Sequence, residues 1–212
     1  TDKYGFTGYG LKGGANYNID DNHNVFANVG YFERQPDFDA VYTNHENIFN
    51  EGAVNEKVTS FELGYGFKNS VCQVNVNGYY TYWADKTITS SKYIQGTRYT
   101  ANLLGVDALH MGIELDAKYY PTDRLTVTGQ ASIGDWKWQN DVTGVQLYDD
   151  EQNPAGDPID VYIAGVHVGD AAQTTMSAGV DYEILKNVKI GLDYSDYANN
   201  YAQFRETDRS NA

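Results

Sequence analysis

The stretch MGIELDAKYYPTDRLTVTGQASIGDW, residues 111–136, decides the fold. Before PTDR, its odd positions are Met111, Ile113, Leu115, Ala117 and Tyr119, and the even ones between them are Gly112, Glu114, Asp116, Lys118 and Tyr120. After PTDR, Leu125, Val127, Ala131 and Ile133 face one way and Thr126, Thr128, Gln130 and Ser132 the other. A period of two with one apolar and one polar face is the signature of a strand, because successive side chains point to opposite sides of a pleated backbone. Two such runs joined by a short Pro/Asp-containing segment read as a hairpin.

The same alternation recurs along the chain. Residues 8–19 place Tyr9, Leu11, Ala15, Tyr17 and Ile19 against Lys12, Asn16 and Asn18, and the turn DDNHN follows. Residues 24–33 carry Val25, Ala27, Val29 and Tyr31 on one face, and residues 57–67 carry Thr59, Phe61, Leu63, Tyr65 and Phe67 against Ser60, Glu62, Gly64 and Gly66. Residues 71–84 set Cys72, Val74, Val76, Tyr80 and Tyr82 against Gln73, Asn75 and Asn77. The last pair places Met176, Ala178, Val180, Tyr182 and Ile184 against Ser177, Asp181 and Glu183, then Val188, Ile190, Leu192 and Tyr194 against Lys189, Asp193 and Ser195.

The pattern predicts an all-β, antiparallel up-and-down meander of about eight strands. Tight turns alternate with long connections, near 34–56, 85–108 and 139–172. Short turns at one end and long loops at the other match outer-membrane barrels, whose strands cross the bilayer in about 9 to 11 residues. Aromatic residues near the strand ends, Tyr79, Tyr80, Tyr82, Trp83, Tyr119, Tyr120, Trp136 and Trp138, are expected to form interfacial girdles.

Composition fits this reading. The 212 residues include 19 Tyr and 21 Gly but only 2 Met and 3 Trp, an inventory suited to strands rather than helix bundles. No run approaches the roughly 18 apolar residues of a membrane helix, and TDKYGFTGYG at the start has no signal-peptide character. A net charge of −14 with 15 scattered Lys and Arg argues against a nucleic-acid partner. The single cysteine, Cys72, rules out an intramolecular disulfide and a thiol cluster for zinc. Its expected role is a small apolar strand residue.

Catalysis finds little support. His23, His45, His110 and His167 fall in separate turns or strand ends without paired ligand spacing, and no Ser or Cys stands with a base. They read as surface histidines, and neither an enzyme nor a cofactor is expected. The acidic segment YDDEQNPAGDPID offers Asp149, Asp150, Glu151, Asp157 and Asp160 as oxygen donors for calcium, but it lacks the EF-hand ladder and glycine and reads more simply as a solvated loop.

Four motifs in order resemble a known family. VFANVGYFERQPDFDAVY is similar to the segment of TonB-dependent outer-membrane receptors in which a strand ends in a YRxPxFxxLY-like run. NEKVTSFELGYGFKN resembles the KPExxxxxELGY-like start of their next strand, with Glu56, Lys57, Ser60, Glu62, Leu63, Gly64 and Tyr65 in the pattern and Asn55 where proline is usual. GIELDAKYYPTDRLTVTGQASIGDW resembles the hairpin GxExxxxxxPxxxLxxxxxxxxGDW, and VHVGDAAQTTMSAGVDY with GLDYSDYANNYAQF resembles later strands of Bacteroidetes-type receptors, with Ala172 replacing a proline.

The resemblance implies a section from the second half of a 22-stranded, plugged barrel, with residues 1–212 as one partial barrel domain and the plug and closing strands absent. The ends, lacking a signal peptide and a final amphipathic strand, read as cut. The implied function is active uptake of a siderophore, haem, cobalamin or glycan across the outer membrane of a Gram-negative cell. Implied partners are outer-membrane lipid, a plug domain, the TonB complex and a small-molecule or glycan ligand.

In that setting Glu62, Gln73, Asn75, Asn77, Glu114, Asp116, Lys118, Gln130, Asp181, Glu183, Lys189 and Asp193 are expected to line the lumen, toward the plug or a ligand path. Asp116 and Lys189 are a candidate cross-strand pair. Phe38, Tyr42, Tyr93, Tyr99 and Tyr148 are the ligand candidates of the extracellular loops. An intact eight-stranded outer-membrane protein with a structural or adhesive role and a soluble β-sandwich binding module are the alternatives. In water an isolated section is expected to turn its apolar face inward and self-associate, since two open edges and a lipid-type face favour association.

Overall fold

The computed structural model describes residues 4–42, 49–94, 96–151 and 153–204. Eight long strands form one antiparallel sheet: β1 (Gly10–Asn18), β2 (His23–Arg34), β3 (Glu56–Lys68), β4 (Cys72–Ile94), β5 (Thr97–Thr122), β6 (Leu125–Trp138), β10 (Ala172–Leu185) and β11 (Val188–Asn200). Their order in the sheet is their order in the chain. A four-residue helix α1 (Phe38–Val41) lies between β2 and β3, and three short strands, β7 (Val142–Val145), β8 (Leu147–Tyr148) and β9 (Ile159–Val161), lie between β6 and β10.

All four tight turns lie at one end of the meander. In the first two, Asp20 Oδ1 accepts from the N–H groups of Asn22 and His23 and Asn69 Oδ1 from those of Val71 and Cys72, adding to the backbone closures Ile19 N–H to His23 O and Asn69 N–H to Cys72 O. Asn187 supplies the left-handed conformation of the last turn, at φ 68°.

Among the described residues β1 and β11 do not pair, so the sheet is open where an intact eight-stranded barrel would be closed. Among the described residues no second sheet covers its apolar face, as a sandwich would require. Leu63, Ile113, Ile133, Ile190 and Leu192 stand exposed there.

The core sits instead at the loop end. Leu103, Val106, Ala108, Trp138, Val142, Val145, Val161, Ile163 and Phe204 form one buried cluster. It lies on the side of the sheet that carries the polar residues, because Ala108 and Trp138 share the phase of Glu114 and Gln130.

Two expectations are corrected here. Residues 85–108 are not a long connection: β4 and β5 run on through them as a tall hairpin whose strands pair from Lys86–Val106 to Ile94–Thr97. The period of two hid this, because the register shifts between Trp83 and Lys86 and the chain takes positive φ at Asp85 and Gly105. A bulge moves every later side chain to the other face. Residues 139–172 are likewise partly strand, with β8 pairing to β5 and β7 to β9.

The aromatic girdle is the second correction. Trp83, Trp136, Trp138 and Tyr79 lie on the polar side, held by polar partners or by the loop core. Tyr80, Tyr82 and Tyr119 keep the apolar phase, paired with Met111, Leu109 and Cys72.

Candidate functional site: the polar face and its rim

The polar face is built from the even-numbered residues of β1, β2, β3, β5 and β6 and the odd-numbered residues of β4, β10 and β11 over their regularly alternating stretches. Its upper centre is internally bonded. Asn28 Nδ2 donates to Glu62 Oε2 at 2.8 Å, and Asn77 Nδ2 donates to Glu62 Oε1 at 2.8 Å and Glu114 Oε2 at 3.3 Å. Four side chains from β2, β3, β4 and β5 thus form a ladder across the strands. Two carboxylates tolerate this proximity because an amide between them donates to both.

Beside the ladder, Trp136 Nε1–H donates to the Tyr79 hydroxyl at 2.9 Å. This pair lies flat on the sheet because Gly112 and Gly134 are beneath it: a Cβ at Gly112 would stand 2.6 Å from Tyr79 Oη, and one at Gly134 would stand 2.6 Å from Trp136 Nε1. His110 packs against the Trp136 ring at 5.4 Å, inside β5 rather than at a strand end.

Toward the tight-turn end the face is different. Gln130 accepts from Ser177 Oγ at 3.3 Å. Gln73, Asn75, Asp116, Lys118, Asp181, Glu183, Lys189 and Asp193 make no side-chain hydrogen bond or ion pair among the described residues. Several of them, with Thr128 and Ser195, border a shallow concavity spanning β4, β5, β6, β10 and β11.

The anticipated pairing of Asp116 with Lys189 does not form. Register sets Asp116 opposite Gln130 and Asn75, while Lys189 stands opposite Glu183 three strands away.

At the loop end the expected aromatic candidates fall into two places. Phe38 and Tyr42 neighbour each other at 5.0 Å, and Tyr42 meets Tyr4 edge-on at 6.4 Å, while Tyr4 stacks on Phe49. Tyr93 and Tyr99 belong to the tall hairpin, with Tyr148 on β8 opposite Thr100. Asn102 Nδ2 donates to the Asp39 carbonyl at 3.3 Å, which ties α1 to that hairpin.

Glu56, wholly buried at the start of β3, is a densely bonded polar group. It holds Arg34, Trp83 Nε1 and the Thr87 N–H. The motif resemblance singled out Glu56, and Arg34 lies in the quoted RQP run. Nothing in the sequence pointed to Trp83 as their partner.

Among the acids of 148–160, Asp149 Oδ1 accepts from the N–H groups of Glu151 and Asn153, Asp160 Oδ1 from that of Gly144, and Asp150 Oδ2 from that of Arg98 on the tall hairpin. Among the described residues no three His, Cys, Asp or Glu side chains converge as a metal site would need. His23 meets Tyr65 Oη at 2.5 Å, His167 stacks on Tyr201 at 4.0 Å, and His45 lies outside the described residues.

Comparison with known proteins settles which kind of sheet this is. A family model for the TonB dependent receptor-like β-barrel matches residues 2–211. The chain belongs to that family. No curated protein sequence matches it. Eleven solved chains match its fold. One of them, described as "Copper transporter OprC", aligns at a TM-score of 0.64 with 19% identity over 91% of this chain. That alignment spans 27% of the OprC chain, and at this identity it shows the fold alone. The open, strictly sequential meander described above is therefore a TonB-dependent receptor barrel wall, with the tight turns at one rim and the folded excursions at the other.

Proposed function

We propose that this chain is a section of the barrel wall of an outer-membrane TonB-dependent transporter, whose parent takes up a scarce nutrient with energy delivered through TonB. The observation that carries the reading is the match of residues 2–211 to the receptor barrel model, on a sheet whose apolar face is left open for lipid. Residues 1–212 are then one barrel section, and its polar face turns to the lumen.

Within that section the polar residues divide by their bonding. Glu62, Asn77 and Glu114 are committed to one another, so they stiffen the wall. Gln73, Asn75, Asp116, Lys118, Asp181, Glu183, Lys189 and Asp193 are free to meet the plug domain, because unpaired polar groups in a closed lumen need partners or water. Gln130 lies between the two groups. Phe38, Tyr42, Tyr93, Tyr99 and Tyr148 at the extracellular rim are the side chains offered to an incoming siderophore, haem, cobalamin or glycan.

Copper is a poor candidate for the cargo at this wall. The soft sulfur ligands that Cu(I) prefers, Cys72, Met111 and Met176, all share the phase of the apolar face.

The test is disruption of the parent gene, with growth measured on each nutrient class in limiting amounts and with and without TonB. The expected result is a defect on one class, reproduced by loss of TonB, with the protein in the outer-membrane fraction. Recovery in the soluble fraction would overturn the reading.

A further inference from the structure

On the apolar face one cross-strand row runs Leu63, Gly78, Ile113 and Ile133. Gly78 opens a pit in it: a Cβ there would meet only the Gly112 carbonyl, at 3.8 Å. The walls register the missing side chain. Leu63, Ile113 and Ile133 are 56%, 61% and 59% exposed, whereas Phe61, Tyr80 and Met111 in the row above are 49%, 44% and 39% exposed.

Gly129 on the same face also meets nothing within 4 Å, but Ala117 and Ala178 flank it, so that patch is flat and has no walls. Gly78 alone of the two lies between branched aliphatic side chains.

We infer that the pit over Gly78 is a seat for the end of a membrane acyl chain, an inference that rests on the outer-membrane reading above. The width fits. Strands lie about 4.8 Å apart, so Leu63 and Ile113 stand about 9.6 Å apart on either side of Gly78, which leaves one row of carbon atoms at roughly 4 Å from each wall.

The depth fits as well. Gly78 is six residues above Cys72 at the tight-turn end of β4. At about 3.3 Å per residue and a tilt of about 40° this places it about 15 Å in, near the middle of an apolar band about 25 Å tall, where chain ends meet. The lining is aliphatic and aromatic, with Asp135 only at the upper margin. A void left beside these side chains forfeits dispersion contacts, whereas a flexible methylene end fills it.

The pit is also backed by glycines. Gly112 and Gly134 sit behind it on the polar face, covered by the Tyr79–Trp136 pair. The wall here is sealed from the lumen side by two rings and from the bilayer side by lipid.

The experiment reconstitutes the full chain in phosphatidylethanolamine/phosphatidylglycerol vesicles containing a phospholipid with a photoreactive diazirine at the chain terminus, and maps adducts by mass spectrometry. Labelling of Leu63 and Ile113 is expected to exceed that of Val127 and Val180 by roughly threefold, the scale set by a few lost or gained dispersion contacts. Gly78→Leu should abolish the excess and Gly129→Leu should leave it. Even labelling along the apolar face, or an excess that survives Gly78→Leu, overturns the seat and leaves the membrane reading standing. Absence of labelling anywhere on this face overturns both.

Discussion

Arg34 and Glu56 face each other across β2 and β3, with Arg34 Nε 3.1 Å from a carboxylate oxygen of a wholly buried glutamate. That carboxylate also accepts from Trp83 Nε1 at 3.2 Å and from the Thr87 N–H at 3.4 Å, while Arg34 and Lys86 lie 5.6 Å and 4.4 Å from the Trp83 ring centroid. One side chain thus joins the end of β2, the start of β3 and the bulged stretch of β4. It connects two of the motifs that resemble the family, FERQP and NEK, through a single contact.

Glu56→Ala is expected to destabilise the folded chain by about 2–4 kcal/mol, because the partly buried Trp83 indole N–H loses its acceptor and the half-exposed Arg34 guanidinium keeps only Asp37. Glu56→Gln should cost less, since the amide oxygen still accepts. Urea unfolding in detergent micelles reads both, and equal stability of Glu56→Ala and the parent would show that the cluster is not a structural tie.

Gly112→Ala brings a methyl within 2.5 Å of the Ile133 carbonyl and 2.6 Å of Tyr79 Oη. Backbone cannot yield cheaply, so the expected cost is about 1–3 kcal/mol, as in other overpacked sites. The Tyr79–Trp136 hydrogen bond should break with it. Tryptophan emission is the readout, and an unshifted spectrum at unchanged stability would count against the flat packing of this pair.

Ile113→Arg and Lys118→Ala separate the two faces of one strand. The first places a charge against lipid near the bilayer middle and is expected to lower folding stability in vesicles by about 2–4 kcal/mol, while the second, on the wet face, should be close to neutral. The reverse order would invert the assignment of the faces.

Phe204→Ala should loosen the loop end and spare the membrane strands. Phe204 meets Trp138 edge-on at 5.8 Å within the core shared by β5, β7 and β9, so its truncation is expected to cost about 3–5 kcal/mol locally. Limited proteolysis should then cut within 139–172 while the strands of the sheet stay protected. Uniform loss of protection would mean that the loop core and the sheet unfold as one unit.

Legibility in the sequence followed the physics of each region. The eight strands and both faces were readable because a sheet with lipid on one side and water on the other must alternate at every residue. Leu63, Glu62, Ile113 and Glu114 stand on the faces anticipated for them. The tight turns were readable from Asp20, Asn69 and Asn187, residues whose side chains or left-handed backbone close a turn locally.

What the alternation could not convey is where it changes phase. Burial in β5 falls on Ala101 and Leu103, then on Val106 and Ala108, a step of three where two was expected, because Gly105 takes φ 68°. The tall hairpin therefore looked like a loop. The three tryptophans looked like girdle residues for a related reason: their size marks them as anchors of an interface, but only pairing shows that Trp83, Trp136 and Trp138 stand on the polar side.

By itself, then, the sequence determined the meander and its two faces, since these depend on local period and short-range turn chemistry, and four motifs in order carried the resemblance to the family. Tertiary structure alone decided the buried Glu56 cluster, the core of Leu103, Trp138, Ile163 and Phe204 at the loop end, and the separation of Asp116 from Lys189. Each of these depends on register between distant strands, and a single bulge or turn resets that register for every residue beyond it.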